Sequence, residues 1–223
     1  MTPRETNSRL VLPPLYAIID YSFFVAQQEP LSAVMRYARE LIDAGVTLIQ
    51  FRDKSQPAMP RRFLSCVREL RRITAGRATL IVNDRLDLCL AAGADGVHLG
   101  QDDFPSTAAR KIFDRTRDGL TRIIGFSTHT IAQVQEADAL PVDYIALGPI
   151  FATASKINPD PVIGTEVLRE ARRITAKPLV AIGGITRQNC LQVKNAGGDA
   201  VAVISDLFES PGKAVADFLR VLG

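Results

Sequence analysis

Short apolar runs recur along the whole chain, each followed by a turn containing Gly, Asp or Asn and then by a longer stretch with helical periodicity. The runs that read as strands cover 15–19, 47–52, 79–83, 96–99, 122–127, 144–148, 179–182 and 200–204. Several of the intervening helical stretches stop at a small-residue turn: Ala44-Gly45, Ala92-Gly93 and Ala196-Gly197-Gly198. Glycine there supplies the left-handed C-cap that lets the chain re-enter a sheet. An acidic residue then precedes the strand at Asp95, Asp143 and Asp199.

Eight strands alternating with helices imply parallel β/α units, because parallel neighbours need helical crossovers. A closed barrel suits eight such units better than an open doubly wound sheet, and the first strand lacks the GxGxxG turn of a dinucleotide-binding fold. No low-complexity tract or linker divides the chain. The pattern therefore predicts one (β/α)8 TIM barrel over residues 1–223, with 1–13 as an N-terminal extension.

Composition narrows the class further. The 223 residues are 47% hydrophobic, enough for a large core, and 27 basic against 24 acidic side chains leave a formal charge of only +3. That balance gives no footing for nucleic acid or a membrane surface. The basic pairs Arg61-Arg62, Arg71-Arg72 and Arg172-Arg173 fall in helical stretches and read as solvated faces. Cys66, Cys89 and Cys190 are far apart and form no CxxC or Cys/His cluster; Cys89 and Cys190 read as packing residues. No apolar run approaches the roughly 18–20 residues of a membrane span, and the first residues carry no signal-peptide core. A reduced, cytoplasmic setting is the expectation; homo-oligomerisation stays open.

In such a barrel the active site lies at the C-terminal ends of the strands. Polar residues gather there strand after strand: Asp20; Gln50, Arg52 and Lys54; Asn83 and Asp84; His98, Gln101, Asp102 and Asp103; Ser127 and His129; Thr153, Ser155 and Lys156; Gly183-Gly184; and Ser205. Strand parity puts Gln50, Arg52 and Lys54 on one face and turns Phe51 towards the helices. Cations converging inside a barrel are costly to bury unless they meet an anion. That anion is either a phosphorylated ligand or an acid of the chain such as Asp84.

Carboxylates on the rims of strands 3 and 4 can share a hard cation, since Mg²⁺ takes one or two carboxylates and completes its shell with phosphate oxygens and water. Asp84 and Asp87 can also serve simply as helix N-terminal charges, and spacing alone does not choose between Asp102 and Asp103. Gly183-Gly184 after strand 7 and Ile204-Ser205 after strand 8 match the place where TIM barrels hold a phosphate. The loop over 153–164 is long enough to act as a lid bearing hydroxyls and Lys156. His98 reads as a core histidine, His129 as a residue that can face the site. No Ser/His/Asp triad or HExxH spacing is present.

Taken together, IQFRDK (49–54), VNDRLDL (82–88), GADGVHLGQDD (93–103), IGFSTH (124–129), ALGPIFATASK (146–156), AIGGIT (181–186) and AVISDLF (202–208) resemble the thiamine-phosphate synthase family over nearly the whole chain. The resemblance implies condensation of 4-amino-2-methyl-5-(diphosphooxymethyl)pyrimidine with 4-methyl-5-(2-phosphooxyethyl)thiazole, giving thiamine phosphate and pyrophosphate. It also implies that Gln50, Arg52, Lys54, Asn83, Ser127 and Lys156 hold the pyrimidine diphosphate, with Arg52, Lys54, Ser127 and Lys156 acting in the reaction. Asp84 and Asp103 would bind Mg²⁺; Thr153, Ser155, Gly184, Ile204 and Ser205 would hold the thiazole phosphate. The chain departs from the family at Ala152, where Pro is frequent, at Ser155, where Thr is, and at Phe51, where Leu is commoner. Two rivals share the fold: a thiazole tautomerase, for which His129 would move a proton, and a non-catalytic regulator that binds a thiazole or thiamine phosphate. Neither needs the paired acids and cations.

Overall fold

The computed structural model describes residues 10–54, 59–116, 118–153 and 160–223. Eight parallel strands, β1 (Leu15–Asp20), β2 (Leu48–Arg52), β3 (Thr79–Asn83), β4 (Gly96–Leu99), β5 (Ile123–Thr128), β6 (Tyr144–Leu147), β7 (Leu179–Ile182) and β8 (Ala200–Val203), close into a barrel in sequential order. The helices that return the chain are α1 (Pro30–Asp43), α2 (Pro60–Thr74), α3 (Leu86–Ala92), α4 (Ser106–Arg115), α5 (Ile131–Ala139), α6 (Gly164–Ile174), α7 (Cys190–Asn195) and α8 (Pro211–Leu222). The single-domain TIM barrel expected from the strand–helix rhythm is therefore present, with strand ends within a residue or so of the apolar runs.

Strand parity divides the apolar residues into two cores. Outward-facing side chains such as Ile19, Phe51, Val82 and Leu147 pack with the helices. Inward-facing Tyr16, Ile18, Leu48, Ile81, Tyr144 and Val180 fill the barrel, and Leu12 packs with them. Phe51 is fully buried against Phe63 and Tyr21, on the helix side as parity requires.

The acids that precede β4, β6 and β8 close the N-terminal face by one repeated device. Asp95 Oδ2 accepts the Leu80 amide at 2.8 Å, Asp143 Oδ2 the Ile124 amide at 2.7 Å and Asp199 Oδ2 the Leu179 amide at 2.7 Å. An arginine from the preceding even-numbered helix backs each acid: Arg71 from α2, Arg110 from α4 and Arg172 from α6. The reading of the basic pairs as solvated faces needs correction here. In each pair one arginine is exposed and the other turns inward. Arg71 and Arg172 brace the barrel, while Arg62 binds Asp53 at 2.9 Å and lies 4.5 Å above the Tyr21 ring.

Candidate active site

A cavity of about 890 Å³ opens at the C-terminal ends of the strands. Of the residues singled out in the sequence, Gln50, Arg52, Lys54, Asn83, Asp84 and Asp103 line its β2–β4 side. Ser127, Thr153, Gly184, Ile204 and Ser205 line the remainder. Ser155 and Lys156 lie outside the described residues.

Asp20 and Arg52 are register partners at the mouth and form an ion pair. Asp20 is 2% exposed, and its other oxygen accepts the Ser22 amide at 3.0 Å and the Ser22 hydroxyl at 2.7 Å. A buried carboxylate thus holds Arg52 on one side and leaves the rest of its fork turned to the cavity. Parity alone shows Asp20 facing inward, but its value lies in a partner 32 residues away.

Lys54 pairs with Asp84, the acid of the chain that stood as its alternative to a ligand. Asp84 is the one described non-glycine residue at positive φ, 59°. Its carboxyl is raised above the ordinary aspartate value, first by burial; the Lys54 ammonium offsets part of this, and the neighbouring Asp103 carboxylate adds to it. Asp103 is half-buried and accepts the Gly100 amide at 2.7 Å, whereas Asp102 is exposed. Geometry thus separates two acids that spacing left equal, and brings Asp103 to Asp84.

Among the described residues no group of three His, Cys, Asp or Glu side chains forms a metal cluster. Two adjacent carboxylates, one raising the other's proton affinity at Asp84, are nevertheless the set that Mg²⁺ takes when phosphate oxygens and water complete the octahedron. The donors fit a hard divalent cation held jointly with a phosphorylated ligand.

Across the cavity, Gly183 and Gly184 adopt φ of 97° and 60°. A Cβ at Gly184 would stand 2.2 Å from the Ala152 carbonyl oxygen, so only glycine fits this approach. Ile204 caps the short 3₁₀ turn that Ser205 begins after β8, and both line the same cavity as the two glycines.

The floor of the cavity holds a feature that sequence reasoning missed. Gln50 Nε2 donates to the Tyr16 hydroxyl at 2.9 Å, and the Tyr16 and Tyr144 hydroxyls lie 2.9 Å apart. The Tyr144 hydroxyl meets His98 Nδ1 at 2.9 Å, and His98 Nε2 meets Ser127 Oγ at 2.8 Å. Burial keeps His98 neutral, lowering it from 6.5 to about 4 against a small opposing pull from Asp103. Burial likewise raises both tyrosines, so they remain protonated. The available sequence signal was Gly125, an inward-facing glycine in β5 whose register partners are His98 and Tyr144. A Cβ there would sit 2.0 Å from Tyr144 Cζ, so its absence lets the Tyr144 ring reach across β5 to His98.

His129 faces the cavity rim, with Nδ1 2.6 Å from the Gly148 carbonyl and 3.6 Å from Asp160, and its amide donates to Gln133 at 2.7 Å. No helix of the described residues is long and apolar enough to cross a membrane.

A family model described as thiamine monophosphate synthase matches residues 15–207. A thiamine-phosphate synthase of Koribacter versatilis is 50% identical over 215 residues, covering 96% of this chain and 98% of the relative. One of Dictyoglomus turgidum is 42% identical, covering 78% of this chain and 75% of its own length. Among solved structures, the thiamine phosphate pyrophosphorylase of Pyrococcus furiosus aligns with a TM-score of 0.78 at 32% identity, over 94% of this chain and 95% of that one. A 3-hexulose-6-phosphate synthase of Salmonella typhimurium, 16% identical with a TM-score of 0.70 over 94% of this chain and 98% of its own, shares the fold alone.

Proposed function

The chain belongs to the thiamine-phosphate synthase family, and on that premise we propose that it joins the pyrimidine diphosphate to the thiazole phosphate, forming thiamine phosphate and releasing pyrophosphate. The observation that carries this reading is the gathering of two acids, Asp84 and Asp103, and two cations, Arg52 and Lys54, on one side of a cavity whose other side is lined by Gly183, Gly184, Ile204 and Ser205. A tautomerase has no leaving diphosphate to hold, and a sensor of thiazole phosphate needs only that other side. Three unpaired, buried cysteines fit a cytoplasmic setting.

In the reaction the bond from the pyrimidine CH₂ to the diphosphate oxygen breaks with its electron pair leaving on the diphosphate. The thiazole nitrogen then donates its lone pair to that carbon. The aminopyrimidine stabilises positive charge at the carbon, which favours a dissociative path. Mg²⁺, held by Asp84 and Asp103, would neutralise the leaving diphosphate. Arg52, steadied by Asp20, binds the same oxygens, and Lys54 exchanges Asp84 for them when the substrate enters. Gln50 and Asn83 orient the pyrimidine diphosphate, and Ser127 reaches it from β5. Ser155 and Lys156, which follow β6 in the sequence, would supply a further hydroxyl and cation. Gly184, Ile204, Ser205 and Thr153 anchor the thiazole phosphate, which supplies the proximity of the two reactants. No step requires a general base.

The deciding assay supplies both phosphorylated heterocycles with Mg²⁺ and follows thiamine phosphate and pyrophosphate. Stoichiometric formation of both is expected, with Asp84→Ala and Asp103→Ala each lowering kcat at least about a hundredfold. Conversion of a thiazole carboxylate tautomer without pyrophosphate release would overturn the reading.

A further inference from the structure

We propose that the buried relay Gln50–Tyr16–Tyr144–His98 fixes Ser127 as a hydrogen-bond donor to the substrate diphosphate, which makes Tyr16, Tyr144 and His98 positioning residues for the reaction. The identity of the ligand rests on the synthase reading; the direction of the relay is a property of the protein alone.

The direction follows from counting protons. The Gln50 amide nitrogen can only donate, so the Tyr16 oxygen is an acceptor in that contact. Tyr16 then has one proton to place, and the Tyr144 oxygen 2.9 Å away is the acceptor within reach. Tyr144 must in turn place its proton on His98 Nδ1 at 2.9 Å. A neutral imidazole that accepts at Nδ1 carries its hydrogen on Nε2. Nε2–H therefore donates to Ser127 Oγ at 2.8 Å, and the serine proton is left to point into the cavity. In the opposite direction Tyr144 would donate to Tyr16, leaving the Tyr16 proton without an acceptor in a side chain that is 1% exposed. A buried donor left without a partner is the costlier arrangement.

The polarity matters because a diphosphate only accepts hydrogen bonds. With the opposite tautomer Ser127 would give its proton to His98 and turn lone pairs towards the phosphate oxygens. With the tautomer assigned here the hydroxyl donates to the leaving group, and its contribution grows as charge develops on the diphosphate. The relay spans five strands, and the ring that carries it across β5 depends on the absence of a side chain at Gly125.

The direct test is ¹⁵N NMR of the histidine-labelled full chain without substrate. The chain has two histidines, told apart by His129→Gln. His98 is expected to show a protonated Nε2 and a bare, accepting Nδ1; a protonated Nδ1 overturns the proposal. The kinetic arm uses Tyr144→Phe, for which kcat should fall about ten- to a hundredfold while KM for the pyrimidine substrate stays within about twofold. Introduced into Ser127→Ala, the same substitution should change kcat by less than about twofold, because its effect passes through the serine. Retained kcat in Tyr144→Phe, or losses that multiply in the double variant, would also overturn it. If the unmodified protein makes no thiamine phosphate, the synthase reading fails by itself and the tautomer still decides the polarity.

Discussion

His98 shows how one buried side chain couples stability to pH. Burial holds it near 4 in the folded barrel against an ordinary value of 6.5. The unfolded chain therefore takes up a proton at a pH where the folded one does not. The stability due to neutral His98 is fully present above pH 6.5 and is lost as pH falls from 6.5 towards 4. Unfolding midpoints in urea, followed across that window, should decline more steeply for the unmodified protein than for His98→Asn, by roughly 3 kcal/mol over the whole interval. Parallel curves would mean that His98 is protonated as readily in the folded state as in the unfolded one. The sequence reading of His98 as a core histidine agrees with its burial, but its two hydroxyl partners were hidden. Tyr144 is 46 residues away and Ser127 is 29, and neither forms a local motif with it.

At the scale of elements, the same acid–arginine brace recurs on three alternate β/α units, and its strength should follow its geometry. Asp143 ties the Ile124 amide to Arg110, and Arg110 also donates to the Arg122 carbonyl at 2.9 Å and the Pro141 carbonyl at 3.2 Å. Asp95 holds the Leu80 amide as tightly, but its contacts with Arg71 are 3.4 Å long. Asp143→Ala should cost about 2–4 kcal/mol, because it orphans a strand amide and a largely buried guanidinium. Asp95→Ala should cost visibly less, and neither should alter KM, since both lie on the face away from the cavity. Urea unfolding alongside steady-state kinetics reads both; equal losses would remove the arginine from the account. The strands themselves are legible in the sequence because each is a short apolar run closed by turn residues. The helix caps are legible because Gly45, Gly93 and Gly197 have positive φ, at 109°, 66° and 92°. The braces are legible only by half. The acids stand at a fixed place before β4, β6 and β8, whereas at two of the three braces the arginine that turns inward, Arg71 or Arg172, is one of two adjacent arginines, and helical phase in the folded barrel chooses it.

For the molecule as a whole, the barrel's closure brings the two halves of the site together. The β2–β4 acids and cations face the β7–β8 strand ends across one cavity, although 99 residues separate Asn83 from Ile182 along the chain. The polar rim was legible because strand ends share one face of a TIM barrel. The pairings within it, Arg52 with Asp20 and Lys54 with Asp84, were not, because they depend on side-chain reach across neighbouring strands. On the proposed assignment this division makes two anion pockets that are thermodynamically separable. If Gly184, Ile204 and Ser205 hold a phosphate through backbone amides and the serine hydroxyl, as proposed, inorganic phosphate should bind there without a metal. Pyrophosphate bound on the β2–β4 side, as proposed, would displace Lys54 from Asp84 and lie beside two carboxylates, so its binding should require Mg²⁺. In thermal melts, phosphate at about a hundred times its Kd should raise Tm by roughly 5–10 °C with or without Mg²⁺. Pyrophosphate should add a further rise only when Mg²⁺ is present. Asp84→Asn should abolish that second rise and leave the phosphate effect intact, because ligands that bind only the folded state stabilise it independently when their sites do not touch. If Asp84→Asn removed both effects, or if pyrophosphate stabilised equally without Mg²⁺, the two pockets would be one, and the acids at β3 and β4 would not be there for a metal.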